Sequence, residues 1–393
     1  MPHLPFSRKI RSSVSRAAFL VFLTALPAAG QLSPPASADL KTHIANLASI
    51  DYATRMNAAR AVRRVDAPVA VAALREAIAN GKDEFVRYRA FVLLSSFSDR
   101  QTGDLVRTLL SDRNDRLRES AYKWLELHPD PALTATLLGS LQSEQAEFVR
   151  PALVGAIAAL GQNPQVQKAL IAETTRGVDF FRAAVIDSLG RHQGAYAVDA
   201  IAGVAALEGP LQDDAVLALG RIGGARGRAA LATFKTAPAV LLPTIRAAQC
   251  LAGQGCEATI KALVDTATTA GSAPATMRSA VNALGVSAAS GNAPATAALI
   301  GLGGRAGAVR DQAALGFGAA AVRNPEHVIA WLDMSAPTQR DAAIDLLKLG
   351  FDDLEEDFGE EQFYATARAS YWKAADGSAS RTLSAALIQK LDF

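Results

Sequence analysis

The sequence predicts an all-α superhelix, a solenoid built from about ten helical hairpins. Three observations predict it: a phrase that recurs about every 32 residues, an amphipathic pattern within each copy, and a composition rich in alanine. Alanine is the strongest helix former, and its small side chain suits helices that pack at close range. Aromatic residues make up only 6% of the 393 residues, so sheets are not expected.

The recurring phrase is an arginine between apolar residues. The spacings from Arg55 onward are 32, 31, 32 and 32 residues, then 64, 32, 32 and 30. The 64-residue step spans two units, because the sixth unit has Asp213 where arginine is expected. So regular a period predicts a stack of ten repeats, in which each hairpin buries its apolar face against its neighbours.

Each copy has the pattern of an amphipathic helix. With the arginine as position 0, apolar residues fill positions −1, +3, +6 and +7 in most units, as Val86, Ala90, Leu93 and Leu94 do in the second unit. A second helix lies between successive arginine-bearing helices. Ten such pairs, at a helix spacing of roughly 8–10 Å, would form a curved rod on the order of 90 Å long.

The helix ends also repeat. Carboxylates at position −3 favour the helix dipole and can cap free N–H groups, and they occur in four consecutive units, as Glu84, Asp115, Glu147 and Asp179. Glycines recur near the predicted helix ends, where we expect left-handed C-caps; these include Gly190, Gly220, Gly253, Gly285 and Gly350.

The phrase Asp-x-x-Val-Arg-x-x-Ala-x-x-x-Leu-Gly resembles the short bacterial HEAT-like repeat of the phycobilisome (PBS) bilin lyases. The best matches are EFVRYRAFVLL (84–94), DRLRESAYKWL (115–125) and DFFRAAVIDSLG (179–190), and the resemblance covers residues 41–350. It implies an armadillo-type solenoid whose second helices line the concave face, and a polar ladder of arginines between neighbouring repeats. The resemblance assigns this structural role to Arg87, Arg118, Arg150, Arg182, Arg246, Arg278 and Arg310. The alternative is that these arginines bind a ligand.

Residues 1–38 have the layout of a secretory signal peptide and a linker. A positive segment, Arg8 to Arg16, precedes an apolar segment, 17–26, that is shorter than the about 20 residues needed to span a bilayer. Cleavage is expected after Gly30 or Ala38, and the alternative is an uncleaved membrane anchor. We therefore expect a periplasmic or secreted protein that follows the Sec route. The remaining chain has 36 basic and 38 acidic residues, so it has no charge excess for nucleic acid.

The two cysteines, Cys250 and Cys256, lie close together in CLAGQGC. Export would place them in an oxidising compartment, which favours a local disulfide bond over two packed thiols.

Residues 351–393 are predicted to form a helical cap after the repeat array of residues 39–350. The segment 351–364 combines seven acids with four aromatic residues, and helices are expected over 362–375 and 383–391. A solenoid needs an atypical end that covers its last apolar face. A calcium site, although the EF-hand spacing is absent, and a docking patch for a basic partner stay open as alternatives.

No catalytic motif is evident, so we expect no catalysis, no cofactor and no metal. The five histidines lie far apart without zinc-ligand spacing, and no nucleophile elbow or Walker loop occurs. We expect an exported scaffold that binds a protein or peptide along its concave face. The alternatives are a lyase or chaperone-like protein related to the bilin lyases, and an envelope component tethered to the membrane by its N-terminus.

Aromatic and charged residues in units two to four are the candidates for partner binding, because such side chains often anchor interfaces. They are Tyr88, Arg89, Tyr122 and Lys123. The alternative is that each of them fills the core between repeats.

Overall fold

The computed structural model describes residues 37–234, 240–253, 256–354 and 356–393. These residues form 22 α-helices, and no strand occurs among them. The first twenty helices pair as ten hairpins, so the predicted all-α superhelix of HEAT-like hairpins is confirmed. All of the predicted signal segment before residue 37 lies outside the described residues.

The helices form two layers. The outer helices are α1 (Ser37–Asn46), α3 (Ala67–Asn80), α5 (Thr102–Leu109), α7 (Thr134–Ser143), α9 (Pro164–Glu173), α11 (Val198–Ala205), α13 (Gly224–Leu231), α15 (Cys256–Thr268), α17 (Ala293–Gly303) and α19 (Pro325–Met334). The inner helices carry the repeated arginine position and are α2 (Tyr52–Arg63), α4 (Glu84–Ser95), α6 (Asp115–Leu127), α8 (Arg150–Ala158), α10 (Asp179–Arg191), α12 (Gln212–Ile222), α14 (Leu242–Leu251), α16 (Pro274–Ala289), α18 (Ala308–Arg323) and α20 (Pro337–Leu354). Two further helices follow, α21 (Asp357–Lys373) and α22 (Ala379–Lys390).

The predicted apolar stripe lies in the core between the layers. In α4, Ala90, Leu93 and Leu94 are buried, and in α10 Val185 and Leu189 are buried in the same way. The predicted acids Glu84, Asp115 and Asp179 are the first residues of α4, α6 and α10, whereas Glu147 precedes the start of α8. The side-chain caps come from the preceding residues: Asp83 accepts from the amide of Phe85 at 2.8 Å, and Asn114 accepts from that of Arg116 at 3.0 Å.

The arginine-bearing helices line the concave face. Successive inner helices pack against one another from α4 to α20. Contacts also cross the interior, because Asp187 on α10 lies 3.7 Å from Arg323 on α18, and Arg191 on α10 pairs with Glu126 on α6. Helices α10 and α18 are separated by three other inner helices, so they meet only by facing each other across the concave side. The implication that the other helix of each unit lines this face is therefore wrong.

Glycine and alanine bring the inner helices together in the second half of the array. A Cβ atom on Gly220 of α12 would lie 2.5 Å from the Cα atom of Ala248 on α14. One on Gly285 of α16 would lie 3.1 Å from the Cα atom of Gly316 on α18. The expectation that these glycines are left-handed C-caps is wrong, as it is for Gly190, because all of them lie inside helices where two backbones approach closely.

The two ends of the array meet through α21, which packs against α4 near the start and against α18 and α19 near the end. Arg63 of α2 forms a buried ion pair with Glu361 of α21, and Gln362 Nε2 donates to Ser95 Oγ at 2.8 Å. The array curves as predicted, but the expected rod with two separate ends is wrong, because its ends are in contact. Close contacts in the inner layer curve the array until its ends join.

The C-terminal segment covers the last hairpin and also closes the array. Phe351, Phe358 and Phe363 are buried within it. Helix α20 continues through Gly350 to Leu354, so the predicted boundary at residue 350 falls inside a helix, and α21 begins at residue 357 rather than 362.

Candidate functional site

The repeated arginines join successive hairpins in the first part of the array. Arg87 Nε donates to the carbonyl of Ile78 on α3 at 2.8 Å, and its guanidinium pairs with Asp112 in the next unit. Arg118 donates to the carbonyl of Asp112 and to both carboxylate oxygens of Glu144, each at 2.8 Å. Each arginine thus links its own hairpin to an acid in the turn of the next one, and we call these contacts the arginine ladder.

The next two arginines make different contacts. Arg182 Nε donates to the carbonyl of Thr174 at 3.0 Å and pairs with Asp179 of its own helix. Arg150 stacks over the ring of Phe181, 3.8 Å from its centroid. The Nε atom of Arg150 is buried with no hydrogen-bond partner among the described residues.

The side chains of Arg246, Arg278 and Arg310 are exposed and form no hydrogen bond or ion pair with any residue that the structure describes. The ladder role that the resemblance implies for them is therefore not formed. The reason lies in the turns, because the places that correspond to Asp112 and Glu144 are held by Ser272, Gly304 and Met334.

Cys250 and Cys256 are joined by a disulfide bond, with their Sγ atoms 2.02 Å apart. Cys250 lies in the last turn of α14, and Cys256 is the first residue of α15. Gly253 between them has a φ of +88°, which glycine adopts without strain. The bond fixes the connection between these two helices.

Two of the predicted partner-binding residues contact the chain's own C-terminal segment. Tyr88 is 7% exposed, and its hydroxyl donates to Asp357 at 3.0 Å. Lys123 Nζ lies 2.7 Å from a carboxylate oxygen of Glu356. Burial alone would lower the pKa of Lys123, but Glu356 and the neighbouring Glu119 raise it. This surface is already occupied by the segment that closes the array.

The other two candidates are also structural. Arg89 donates to the carbonyl of Leu47 at 2.7 Å and lies over the ring of Phe85. Tyr122 is 1% exposed. The four predicted residues therefore make contacts within the chain and do not form a free partner surface.

Exposed apolar side chains instead concentrate along one edge of the array. Of the thirteen large hydrophobic residues that are exposed in the described ranges, ten lie where an outer helix leads into an inner helix. We call this surface the apolar edge; it consists of Ile50, Tyr52, Phe85, Phe148, Val178, Phe180, Leu207, Val240, Leu242 and Met334. Connections of one kind lie along one edge of a solenoid. These side chains come from units one, two, four to seven and ten, so the adjacent units four to seven form the longest run.

Three phenylalanines occupy the same place in their units, two residues before the arginine position. Phe85 is 53% exposed, Phe148 is 48% exposed and Phe180 is 60% exposed. This place is turned away from the buried stripe. Phe180 also lines a cavity of about 430 Å³ in the concave face. The apolar edge therefore reaches the mouth of the interior.

The concave face carries a cluster of charged side chains. We call it the charged interior; it consists of Glu126, Asp187, Arg191, Arg221 and Arg323. Asp187 accepts from Arg221 Nη1 at 2.6 Å and from Arg191 Nε at 2.9 Å. Arg191 also pairs with Glu126, whose carboxylate lies 3.0 Å from His192 Nε2.

The charged interior lies between two cavities. The first is the cavity of about 430 Å³ beside Phe180, and the second has a volume of about 460 Å³. Both are lined by Arg191, Arg221 and Arg323. Glu126 also lines both. The first cavity has in addition Lys123 and the carboxylates of Asp187 and Asp214, whereas the second is lined by His192.

The electrostatics follow from burial and charge. Burial alone would raise the pKa of Asp187, but Arg323, Arg191 and Arg221 hold that pKa well below its ordinary value. Burial and the nearby Asp187 raise the pKa of Asp214 to about 6. Burial lowers the pKa of Arg221, and Arg323 lowers it further, against the opposite effect of Asp187.

The charged interior was not predicted from the sequence, because its members lie on four separate helices that come together only in the closed array. Asp187 lies at position +5, Glu126 and Arg221 at +8, Arg191 at +9 and Arg323 at +13. The available signal was charge in the middle of alanine-rich helices. The turn acids Asp112 and Glu144 at position −6 were missed in the same way.

Two other histidines contact single neighbouring side chains. His128 stacks on Trp124 with ring centroids 4.1 Å apart, and His327 Nε2 lies 3.1 Å from Thr296 Oγ1. Within the described ranges, no group of three or more His, Cys, Asp and Glu side chains is placed to hold a metal ion. Among the described helices, none combines the length and the apolar character that a membrane span requires.

No model of a known protein family matches the sequence, and no curated protein matches it. Among solved structures, it is similar to human deoxyhypusine hydroxylase in complex with glycerol, at 18% identity and a TM-score of 0.28, over 64% of this chain and 95% of that one. It is similar to a structure of Kap95p with RanGDP, at 13% identity and a TM-score of 0.41, over 91% of this chain and 61% of that one. Importin beta matches at 14% identity and a TM-score of 0.39, over 90% of this chain and 55% of that one. The chain thus spans little more than half the length of the last two, and scores this low carry no argument about activity or partner.

Proposed function

We propose that the protein is an exported, non-catalytic scaffold that binds a protein or peptide partner along its apolar edge. The observation that carries this proposal is the placement of ten exposed hydrophobic side chains along one edge. Scattered apolar residues on a surface are ordinary, whereas a contiguous apolar patch marks an interaction site. The signal-like layout of residues 1–38 supports the exported location.

The register of the phenylalanines suggests the form of the partner. Phe148 and Phe180 belong to adjacent units, whose inner helices α8 and α10 pack directly on each other, at a spacing of roughly 8–10 Å. A polyproline II peptide has three residues per turn and advances about 9 Å per turn, so every third side chain lies on one face. We therefore propose a partner segment with an apolar residue at every third position.

The double variant Phe148→Ser/Phe180→Ser tests the partner surface. Both side chains are about half exposed, so the fold should survive, as circular dichroism would verify. We expect the wild-type protein to select peptides with apolar residues three apart from a displayed random library, and the variant to lose this selection. The matched control is Leu127→Ser/Trp372→Ser, which removes exposed apolar residues away from the edge. Equal selection by both double variants would contradict the proposal.

Export is tested separately by sequencing the N-terminus of the protein recovered from the periplasm or medium. A mature chain that begins after Gly30 or Ala38 supports export with cleavage. An intact N-terminus in the membrane fraction would favour the tethered alternative.

A further inference from the structure

We propose that the charged interior binds a small oxyanion, a phosphate or carboxylate group, in the second cavity between Arg221 and Arg323. This site is distinct from the apolar edge and does not depend on the proposed partner. It is argued from the hydrogen-bond donors of the arginines, their burial and the charge balance of the cavity.

The three arginines of the charged interior use their donors very unequally. Arg191 directs its guanidinium nitrogens to Asp187, Glu126 and Ser188. Arg221 uses only Nη1, toward Asp187 at 2.6 Å. The guanidinium of Arg323 forms no hydrogen bond with any described residue, and its single ionic contact, with Asp187, is 3.7 Å long. Since each guanidinium has five N–H donors, Arg221 and Arg323 retain most of theirs for another acceptor.

The unused N–H donors of Arg221 matter because this side chain is buried. The side chain of Arg221 is only 8% exposed, and buried charges are normally paired and hydrogen-bonded. Arg221 and Arg323 both line the second cavity, whose volume of about 460 Å³ is many times that of a water molecule. A partly used, nine-tenths buried guanidinium therefore faces a space that can hold a ligand.

The charge balance of the second cavity favours an anion. Arg191, Arg221 and Arg323 line it, and Glu126, which pairs with Arg191, is its lining carboxylate. Asp187, which lines the first cavity, pairs with all three arginines, so three guanidinium groups are balanced by two carboxylates. The three arginines lie in the last turns of their helices, where positive charge suits the helix dipole. The dipole accounts for their charge, and the donors that Arg221 and Arg323 do not use within the chain are left for another acceptor. A planar guanidinium matches the two oxygens of a carboxylate or phosphate.

Calorimetric titration of the full-length chain at low ionic strength tests this site, with inorganic phosphate and butyrate as separate probes. We expect one saturable site, and Arg323→Gln should weaken binding at least tenfold because it removes charge-assisted hydrogen bonds. The Arg323 side chain is 43% exposed, so this variant should fold. Tighter binding of phosphate or of butyrate identifies the oxyanion, since only butyrate has an apolar tail to contact Leu127 and Leu251.

Two further variants keep the test decisive. Arg221→Lys retains the charge but loses the planar fork, so we expect weaker binding with an unchanged fold. Arg278→Gln removes an exposed arginine outside the cavity and should leave binding unchanged. The proposal is overturned if neither probe saturates, if Arg323→Gln binds like the wild type, or if Arg278→Gln weakens binding equally. Phe148→Ser/Phe180→Ser should bind both probes normally, which separates this site from the apolar edge.

Discussion

The first and second halves of the array join their hairpins in different ways. In the first half, Arg87 and Arg118 each donate to a carbonyl of their own hairpin and pair with a turn acid of the next one. In the second half, the equivalent Arg278 is exposed, and Gly220 and Gly285 let inner helices approach until their backbones touch. One sequence period therefore supports both a hydrogen-bonded junction and a steric one, and a repeated residue has a repeated role only where its partner also repeats.

The largest expected effect is that of Arg118→Ala. Glu144 has only 5% of its side chain exposed, and the substitution leaves this carboxylate without its cation. We expect the free energy of unfolding to fall by about 2–3 kcal/mol, measured by urea denaturation. Arg278→Ala, at the same place in the second half, should change it by less than about 0.5 kcal/mol. Equal losses would remove the distinction between the two kinds of junction.

Gly220→Ala tests the steric junction. The new Cβ atom would meet the backbone of Ala248 on α14, which cannot move aside as a flexible side chain would. We expect the free energy of unfolding to fall by about 1–3 kcal/mol because of overpacking. Gly203→Ala is the matched control, because Gly203 lies in outer helix α11 with nothing within 4 Å of its Cβ position. The free energy of unfolding of that control should rise by up to about 1 kcal/mol, because alanine has a higher helix propensity than glycine. A similar rise for Gly220→Ala would contradict the steric account.

As pH falls, the first half of the array should lose stability before the second half does. Burial would raise the pKa values of Asp112 and Glu144, but hydrogen bonds from Arg87 and Arg118 hold them below their ordinary values. A lowered carboxylate pKa contributes stability that is present above the ordinary pKa, about 4, and is lost as pH falls through the folded-state value. Amide hydrogen exchange, corrected for its intrinsic pH dependence, should show protection falling in α4–α8 before α14–α18. Simultaneous loss in both halves would count against the arginine ladder as the source.

The smallest effect is expected where α21 joins the two halves. Burial raises the pKa of Glu360 to about 8, and Asp357 and Glu356 add to the rise. This folded-state pKa lies above the ordinary value of a glutamate. The contribution of Glu360 to the stability of the fold is therefore present at low pH and is lost as pH rises through about 8. Exchange in α21 should therefore accelerate modestly between pH 6 and pH 9, beyond the intrinsic increase. Glu360→Gln should remove that dependence, whereas the exposed Glu257→Gln should keep it.

Much of the fold could be predicted from local patterns in the sequence. The period of the arginine position located all ten inner helices, and the stripe through Ala90, Leu93 and Leu94 located the core. The reason is that hairpin repeats bury their apolar faces against sequence neighbours, so periodicity in the chain is periodicity in space.

Less of the candidate site could be predicted from the sequence. Phe148 and Phe180 share a register that is visible in the sequence, but only their exposure shows that they are not core residues. Tyr88 and Lys123 were predicted to face a partner, yet they contact Asp357 and Glu356 more than 200 positions away in the chain. Contacts between such distant positions leave no local pattern.

The sequence by itself determined the class of fold, the number of hairpins and the positions that form the core, because these depend on residues one or two turns apart. Only the tertiary structure decided which layer is concave, how far the array curves and which charges meet inside it. Curvature depends on the difference between inner and outer helix spacing, which Gly220 and Gly285 set through contacts with the next unit. Once that curvature closes the array, Asp187 lies beside Arg323 and α21 packs on α4, and no period in the chain encodes either contact.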